Sequence, residues 1–486
     1  MALDARYLPR PTVYDPSEDP AGGVDPLGTL PLAERLADVL LPGLTARMWR
    51  PRLLTYVALA SLIAERIEKS SQVAGGDVWL EARLAFERIF VSALARQLAC
   101  GDETWKEATA SLPGKRLALS AFQNHDTPLG KHNFLKGQAS NGPFGVMARL
   151  ARELDILRTE DDRLGENGRN LLDKWAKESD IPHVSLLADT VEAGANETWL
   201  NPLVNATKQH LKGDWRTRQW AWWRDLADKL RLDAAGPGEK KFLRSLMDQN
   251  PVRRRFLQLL EQHEVRQAYQ NAKQLGVREK ERRALEKIRT LRKTISDADR
   301  TIRAVSLIIT AYEDVASLLE VAFDCLRWGV REAKSPFTIS KLPPDLNNKL
   351  TKIADELHHK AAKSLDEALE NLPSLQVNRL PDDAASDLQQ FVQLTKDCNY
   401  PETLIQTLLE RHKEVQASRG RGLWIEQAGQ AGTLSVMPGY GYPNQGPPAV
   451  RKRLGHTFRI PNAYRFLHDL GGKGLKPGAG EEEEHE

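Results

Sequence analysis

The sequence predicts a mainly α-helical, multi-lobed protein with one long coiled-coil-like helix and a small β-containing element near its C-terminal end. Three observations carry that prediction. Apolar residues recur at spacings of three and four through most of the chain, which gives helices with one buried face. One such pattern lies within about 279 to 330, and its seam from Ile288 to Leu326 runs for more than five heptads without Pro or Gly. Only from about residue 419 does the composition turn to Gly, Pro, Tyr and β-formers, in RGRGLWIEQAGQAGTLSVM.

The elements follow in order. Residues 1–30, rich in Pro, Gly and Asp, read as an extended arm. A helical domain is expected over 31–125. Its first helix stops at Pro42 and Gly43, a second opens after Pro51, and a third runs from Trp79 to about Leu98 with one face buried. Over 126–180, Asn141 and Pro143 start a helix that runs to about Leu154. A short strand DIL, an acidic turn TEDD, and Gly165 and Gly168 then lead into the helix NLLDKW. Helix, short strand pair and helix, with this leucine spacing, resemble a winged helix-turn-helix, so 126–180 is expected to be a winged-helix-like unit.

Residues 181–278 form a Trp-rich helical region. Its basic helix, at about 208–232, carries Trp215, Trp220, Trp222 and Trp223. The long heptad helix is expected over 279–334, with Ile288, Ile302, Ile309, Leu319 and Leu326 among its seam residues. About 50 residues of helix would span ~75 Å. Its charged N-terminal half would project from the body. A helical domain over 335–418, the small β-containing element over 419–470 with a hairpin LWIEQ/TLSVM, and a flexible acidic tail over 471–486 complete the reading.

The bulk properties exclude several classes. A chain of 486 residues has room for two to four domains. A mean hydropathy of -0.49 fits a soluble protein. The longest apolar run, Thr55 to Ala64, is about half of what a membrane span needs. Cys100, Cys325 and Cys398 are too few and too far apart for a disulfide framework or a paired metal site. With no apolar signal core in MALDARYLPRP, a cytoplasmic setting is expected. The net charge of +3 decides nothing about nucleic acid, because binding needs local patches.

No phosphate-binding loop, nucleophile elbow, HExxH or CxxC is present, so no catalytic residue, cofactor or metal is assigned. His125, Asp126 and His132 fall close together, but no further ligand is placed by spacing. His358 and His359 are adjacent on a helix and point in different directions. His468-Asp469 lacks accompanying helical histidines. What remains is basic and aromatic. Candidate DNA contacts are Arg47, Trp49, Arg50 and Arg52; Lys131, His132 and Lys136; Arg149 and Arg152; Arg216 and Arg218; Arg253, Arg254 and Arg255; and Arg451, Lys452 and Arg453. Any one such cluster, taken alone, is more often a solvated face or an internal ion pair. The acidic turn residues Glu160, Asp161 and Asp162 would repel phosphate.

The stretch LLPGLTARMWRPRLL, Leu40 to Leu54, sets an apolar Pro-Gly turn before spaced arginines and a helix. It resembles the N-terminal signature of an uncharacterised group of bacterial proteins from anti-phage defence islands. RHKEVQASRGRGLWIE, near the C-terminus, is similar to the same group's ending. The resemblance covers about 40–56 and 411–426. It implies a DNA-linked, multi-component defence system and brings no catalytic residues with it. Two functions are therefore expected: a non-enzymatic DNA-binding or adaptor subunit of such a complex, or a kleisin-like structural partner of an SMC-type ATPase. A metal-dependent nuclease is the remaining alternative. DNA, and protein subunits such as an ATPase or helicase, are the expected partners, with homo-oligomerisation through the long helix as a further possibility.

Overall fold

The structure is a computed structural model and describes residues 25–70, 77–101, 103–181, 193–213, 215–272, 276–291, 296–333, 335–370, 382–428, 432–437 and 455–475. The first helices are α1 (Leu30–Leu40), α2 (Leu53–Ser70), α3 (Val78–Cys100), α4 (Thr104–Ala108) and α5 (Lys115–Gln123). Next come α6 (Gln138–Asn141), α7 (Pro143–Glu153), α8 (Glu166–Glu178), α9 (Ala193–Leu211) and α10 (Trp223–Lys229). These are followed by α11 (Pro237–Met247), α12 (Pro251–Leu260), α13 (His263–Asn271), α14 (Val277–Thr290) and α15 (Asp297–Glu332). The chain continues through α16 (Pro344–Glu356), α17 (Ala362–Glu370), α18 (Asp382–Lys396) and α19 (Pro401–Ser418). It then forms strands β1 (Ile425–Ala428) and β2 (Thr433–Val436), and finally α20 (Ile460–Asp469). The protein is mainly helical, with one two-stranded sheet near its C-terminal end. No helix among the described residues is long and apolar enough to cross a membrane.

The chain divides into two compact units, both discontinuous in sequence: Met1–Val39 with Ala272–Thr457, and Leu40–Asn271 with Phe458–Glu486. In the first, α15 is the central element. It packs against α14, α16, α17, α19 and β2. Its apolar side chains Ile302, Ile309, Tyr312, Leu319, Phe323 and Leu326 are buried. The hairpin pairs Ile425 with Val436 and Ala428 with Thr433 in antiparallel register, as expected of LWIEQ/TLSVM. A polar joint ties three distant segments together. His456 Nδ1 lies 2.7 Å from a Glu313 oxygen, its Nε2 lies 3.2 Å from Thr29 Oγ1, and the Thr29 hydroxyl donates to Glu320 at 2.7 Å. Burial alone would lower the His456 pKa, but Glu313, with Glu320 and Asp25, raises it.

The second unit is built around α2 and α3. Tyr56 stacks on Phe90, with centroids 4.1 Å apart, and α5, α7, α8, α9 and α10 surround the pair. The helix α20 packs on α12, and its Tyr464 meets Tyr269 of α13 with ring centroids 4.8 Å apart.

The structure corrects several expectations. The single helix over 279–334 is two. α14 ends at Thr290, and α15 starts behind a capping box in which Ser296 Oγ accepts the Asp299 N–H at 3.1 Å. Arg282 pairs with Asp314, and Arg289 donates to Thr310, so the partner's number falls as the arginine's rises. The two helices therefore run antiparallel, as an αα-hairpin. Heptad spacing survives this reversal because each arm still faces the other, and the charged half packs on α15 instead of projecting.

α3 is buried on nearly all sides from Ala82 to Ala95, charged residues included, because neighbours cover its whole circumference. The Trp-rich helix expected over 208–232 is the end of α9, a 3-10 turn at Thr217–Gln219, and α10. Trp215, Trp220 and Trp223 are buried, while Trp222 is exposed. Within 126–180, the expected strand pair is a single antiparallel bridge, Leu157 to Leu164, between α7 and α8.

Most of the arm expected over 1–30 lies outside the described residues, as does the greater part of the acidic tail over 471–486. The described end of the arm is not extended over the surface. Leu27 and Thr29 are buried, and Asp25 pairs with Arg419 at 3.0 Å.

Candidate anion-binding cleft

The arginines of Leu40 to Leu54 separate into two kinds. Arg50 is fully buried, donates to the carbonyl oxygens of Ala110 and Glu107, and pairs with Asp469 at 3.2 Å. Arg52 is buried against Glu239 and donates to the carbonyl oxygens of Arg231 and Lys229. These two guanidiniums hold the second unit together and are withdrawn from any surface contact with phosphate. Arg47 differs. It stands exposed on the turn where the Met48 N–H reaches back to Thr45, while Met48 and Trp49 on either side are buried.

Arg47 borders a cleft of about 630 Å³. Three segments line it. The first is the Arg47–Trp49 turn. The second is the loop Ser111–Gly114 with the first turn of α5, which brings Lys115, Arg116 and Leu117. The third, leading into α6, brings Leu135 and Lys136. Asn141 links the first and third. Arg47 donates to its side-chain oxygen at 3.1 Å, and its amide donates to the Lys136 carbonyl at 2.7 Å. Gly114 has φ +80°, and a Cβ there would meet the Phe134 ring at 2.5 Å, so only glycine lets α5 begin so close to that ring.

Arg47, Lys115, Arg116 and Lys136 thus line one space, together with Leu112, Pro113, Leu117, Leu135 and Val146. No carboxylate belongs to the described lining. The contrast with other arginines is electrostatic. Asp162 raises the pKa of Arg152, and Glu68 that of Arg163, whereas Arg47 is lowered by burial alone. It keeps its charge. Such an arrangement attracts an anion with an apolar portion.

The other predicted residues fall elsewhere. Lys131 pairs with Glu81 at 2.8 Å, and His132 is exposed nearby in sequence. Arg149 is exposed on α7, and Arg152 is held by Asp162. Arg216 donates to the Asp126 carbonyl at 3.0 Å, and Arg218 lies over the Phe122 ring. Arg253 is buried and donates to the carbonyl oxygens of Met247, Pro42 and Leu246. Like Arg50 and Arg52, it is a structural residue and not a surface contact. Arg254 is exposed, and Arg255 reaches Gln258. Arg451, Lys452 and Arg453 lie outside the described residues.

The structure therefore brings Arg47, Trp49 and Lys136 together and adds Lys115, Arg116 and Leu117, which sequence reasoning missed. A signal was available in PGKR, residues 113–116. Two basic residues in the first turn of a helix oppose its macrodipole, at a cost of ~0.3–1 kcal/mol each. Such a local conflict marks a residue kept for another reason.

No group of three or more His, Cys, Asp or Glu suited to a metal occurs among the described residues. Asp469 of the His-Asp doublet is taken by Arg50 and Arg465. Asp126 accepts the Arg218 backbone N–H at 2.7 Å. Comparison with protein-family models, curated proteins and solved structures finds no match to this chain.

Proposed function

We propose that this chain is a non-enzymatic DNA-binding or adaptor protein that engages nucleic acid through the cleft of its second unit. The observation that supports the reading is the convergence of Arg47, Lys115, Arg116 and Lys136 on one cleft with no carboxylate in its described lining. Phosphate neutralisation supplies essentially all of non-specific protein–DNA affinity, and clustered Lys and Arg supply it without further chemistry. The anti-phage setting, as one subunit of a multi-component complex, rests on the resemblance of 40–56 and 411–426 alone. A winged-helix-like role for 126–180 joins this reading through Lys136, which precedes α6, and Arg149, exposed on α7.

The test is a salt titration of the full chain with fluorescent DNA, single-stranded and duplex, beside the variant Arg47→Glu/Lys136→Glu. Both positions are exposed, so the fold is kept. Changing Arg50 or Arg52 would unfold the unit and report nothing about DNA. Binding should weaken steeply with salt and fall at least tenfold in the variant. Absence of binding to any DNA at low salt would sink the reading.

A further inference from the structure

We infer that the cleft accepts an unpaired nucleotide of a DNA strand, with phosphates on the cations and the base against the apolar wall, and so favours single-stranded over duplex DNA. The inference rests on the DNA-binding reading and narrows it. Three features carry it: size, wall and charge.

A cleft of about 630 Å³ falls in the range that encloses small ligands of roughly 300–1,000 Å³. A duplex is a stiff rod with its bases turned inward. It would touch the rim with its phosphates and leave the interior empty. A single strand can turn a base into a pocket, since its bases are unstacked at little cost.

The wall is apolar where a phosphate-only site has no use for it. Leu117 is 42% exposed, standing out of the core as Leu211, Trp222 and Tyr400 do among the described large hydrophobic side chains, and it lines the cleft beside Leu135 and Pro113. A base face would cover this surface, and stacking or apolar contact of that kind contributes about 1–3 kcal/mol per base.

The charge points to more than one phosphate. A phosphodiester carries a single negative charge, and the exposed Arg47 and Lys136 line the space together with Lys115 and Arg116, which have interactions of their own. Successive phosphates of a strand match that set better than one isolated monophosphate does. A nucleoside triphosphate would bring a divalent cation, and the described lining offers no carboxylate to hold it.

The experiment is fluorescence anisotropy of the full chain with three probes: a labelled single-stranded 20-mer of mixed sequence, the same sequence as blunt duplex, and unlabelled dTTP with magnesium as competitor. Variants are Arg116→Ala/Lys136→Ala, Leu117→Glu, and Lys363→Ala as a charge-removal control in the first unit. Circular dichroism checks each fold, and Lys136→Arg should retain binding. The expected result is at least tenfold tighter binding of single strand than duplex. Arg116→Ala/Lys136→Ala should lose about tenfold, with a salt slope shallower by roughly 1.4, since each neutralised phosphate on a single strand contributes about 0.7. Leu117→Glu should remove the preference for single strand. Equal or tighter duplex binding overturns this inference and leaves the DNA-binding reading standing. Competition by dTTP at concentrations equal to the strand's own overturns it in favour of a free nucleotide. No binding of either DNA overturns the DNA-binding reading itself.

Discussion

His210 lies in the last turn of α9 with its ring beside Trp215, centroids 5.7 Å apart, and is 8% exposed. Burial first, and then the positive charge of Arg88, pulls its pKa down to about 4 from the ordinary 6.5. The sign is that of a histidine kept neutral. Its contribution to stability is full above pH 6.5 and is lost as the pH falls from 6.5 towards 4, because the unfolded chain takes up the proton first. The second unit should therefore lose up to about 3 kcal/mol across that window, at about 1.4 kcal/mol per unit. Urea denaturation at pH 7, 5.5 and 4.5 measures it, with His210→Phe as the comparison. A variant that loses as much as the native chain would show that another group carries the acid sensitivity. Ionic roles of this kind were barely legible in the sequence. Arg47, Trp49 and Lys136 stood out as basic or aromatic, but so did Arg50, Arg52 and Arg253. What separates them is a carboxylate or carbonyl brought from afar: Glu107 and Asp469 for Arg50, Glu239 for Arg52, Pro42 for Arg253. No spacing within 40–54 encodes those partners.

Among elements, the break between α14 and α15 shows what periodicity can and cannot tell. The apolar spacing located the helical residues correctly. It could not show the reversal, because a hairpin and a continuous helix bury the same seam when each arm packs on the other. The stop signal was present in another form. Ser296 and Asp299 have the spacing of a capping box, and in the structure the serine oxygen and the aspartate carboxylate each accept the other's backbone N–H. Ser296→Ala should destabilise the first unit by about 1 kcal/mol, read as a lower urea midpoint with unchanged slope. A loss under roughly 0.3 kcal/mol would mean that packing against α15, and not the cap, sets the turn. α3 was misread for the opposite reason. Its Arg83, Glu87 and Arg88 look like a solvent face, yet the Glu87 carboxylate is buried and accepts the Phe144 N–H at 2.8 Å, capping α7 from a neighbouring helix. Gly142 must be small there, since a Cβ would fall on that carboxylate. The hairpin β1–β2 was legible because strand propensity and flanking glycines agreed locally.

For the whole molecule, the division into two discontinuous units was hidden from a linear reading. Compositional boundaries fall within each unit as well as between them, and the closing segments, Ala272–Thr457 and Phe458–Glu486, pack with residues hundreds of positions earlier. Arg465 in α20 and Arg50 share Glu107 and Asp469, so the second unit is complete only when the last described helix has been made. This arrangement gives ligand binding a defined place to act. A strand bound in the cleft touches only residues of the second unit, and a ligand that binds only the folded form stabilises what it touches. At a hundredfold excess over Kd that stabilisation is about 2.7 kcal/mol. Hydrogen exchange of the full chain, with and without saturating single-stranded DNA, should show slower exchange of the most protected amides in α2, α3 and α5, by up to about a hundredfold. Amides in α15 and α19 should keep their rates. Slowing confined to α15 and α19 would place the DNA on the first unit and remove the cleft from the binding surface. Slowing in neither unit, at concentrations where anisotropy reports binding, would put the contact on residues outside both helical cores.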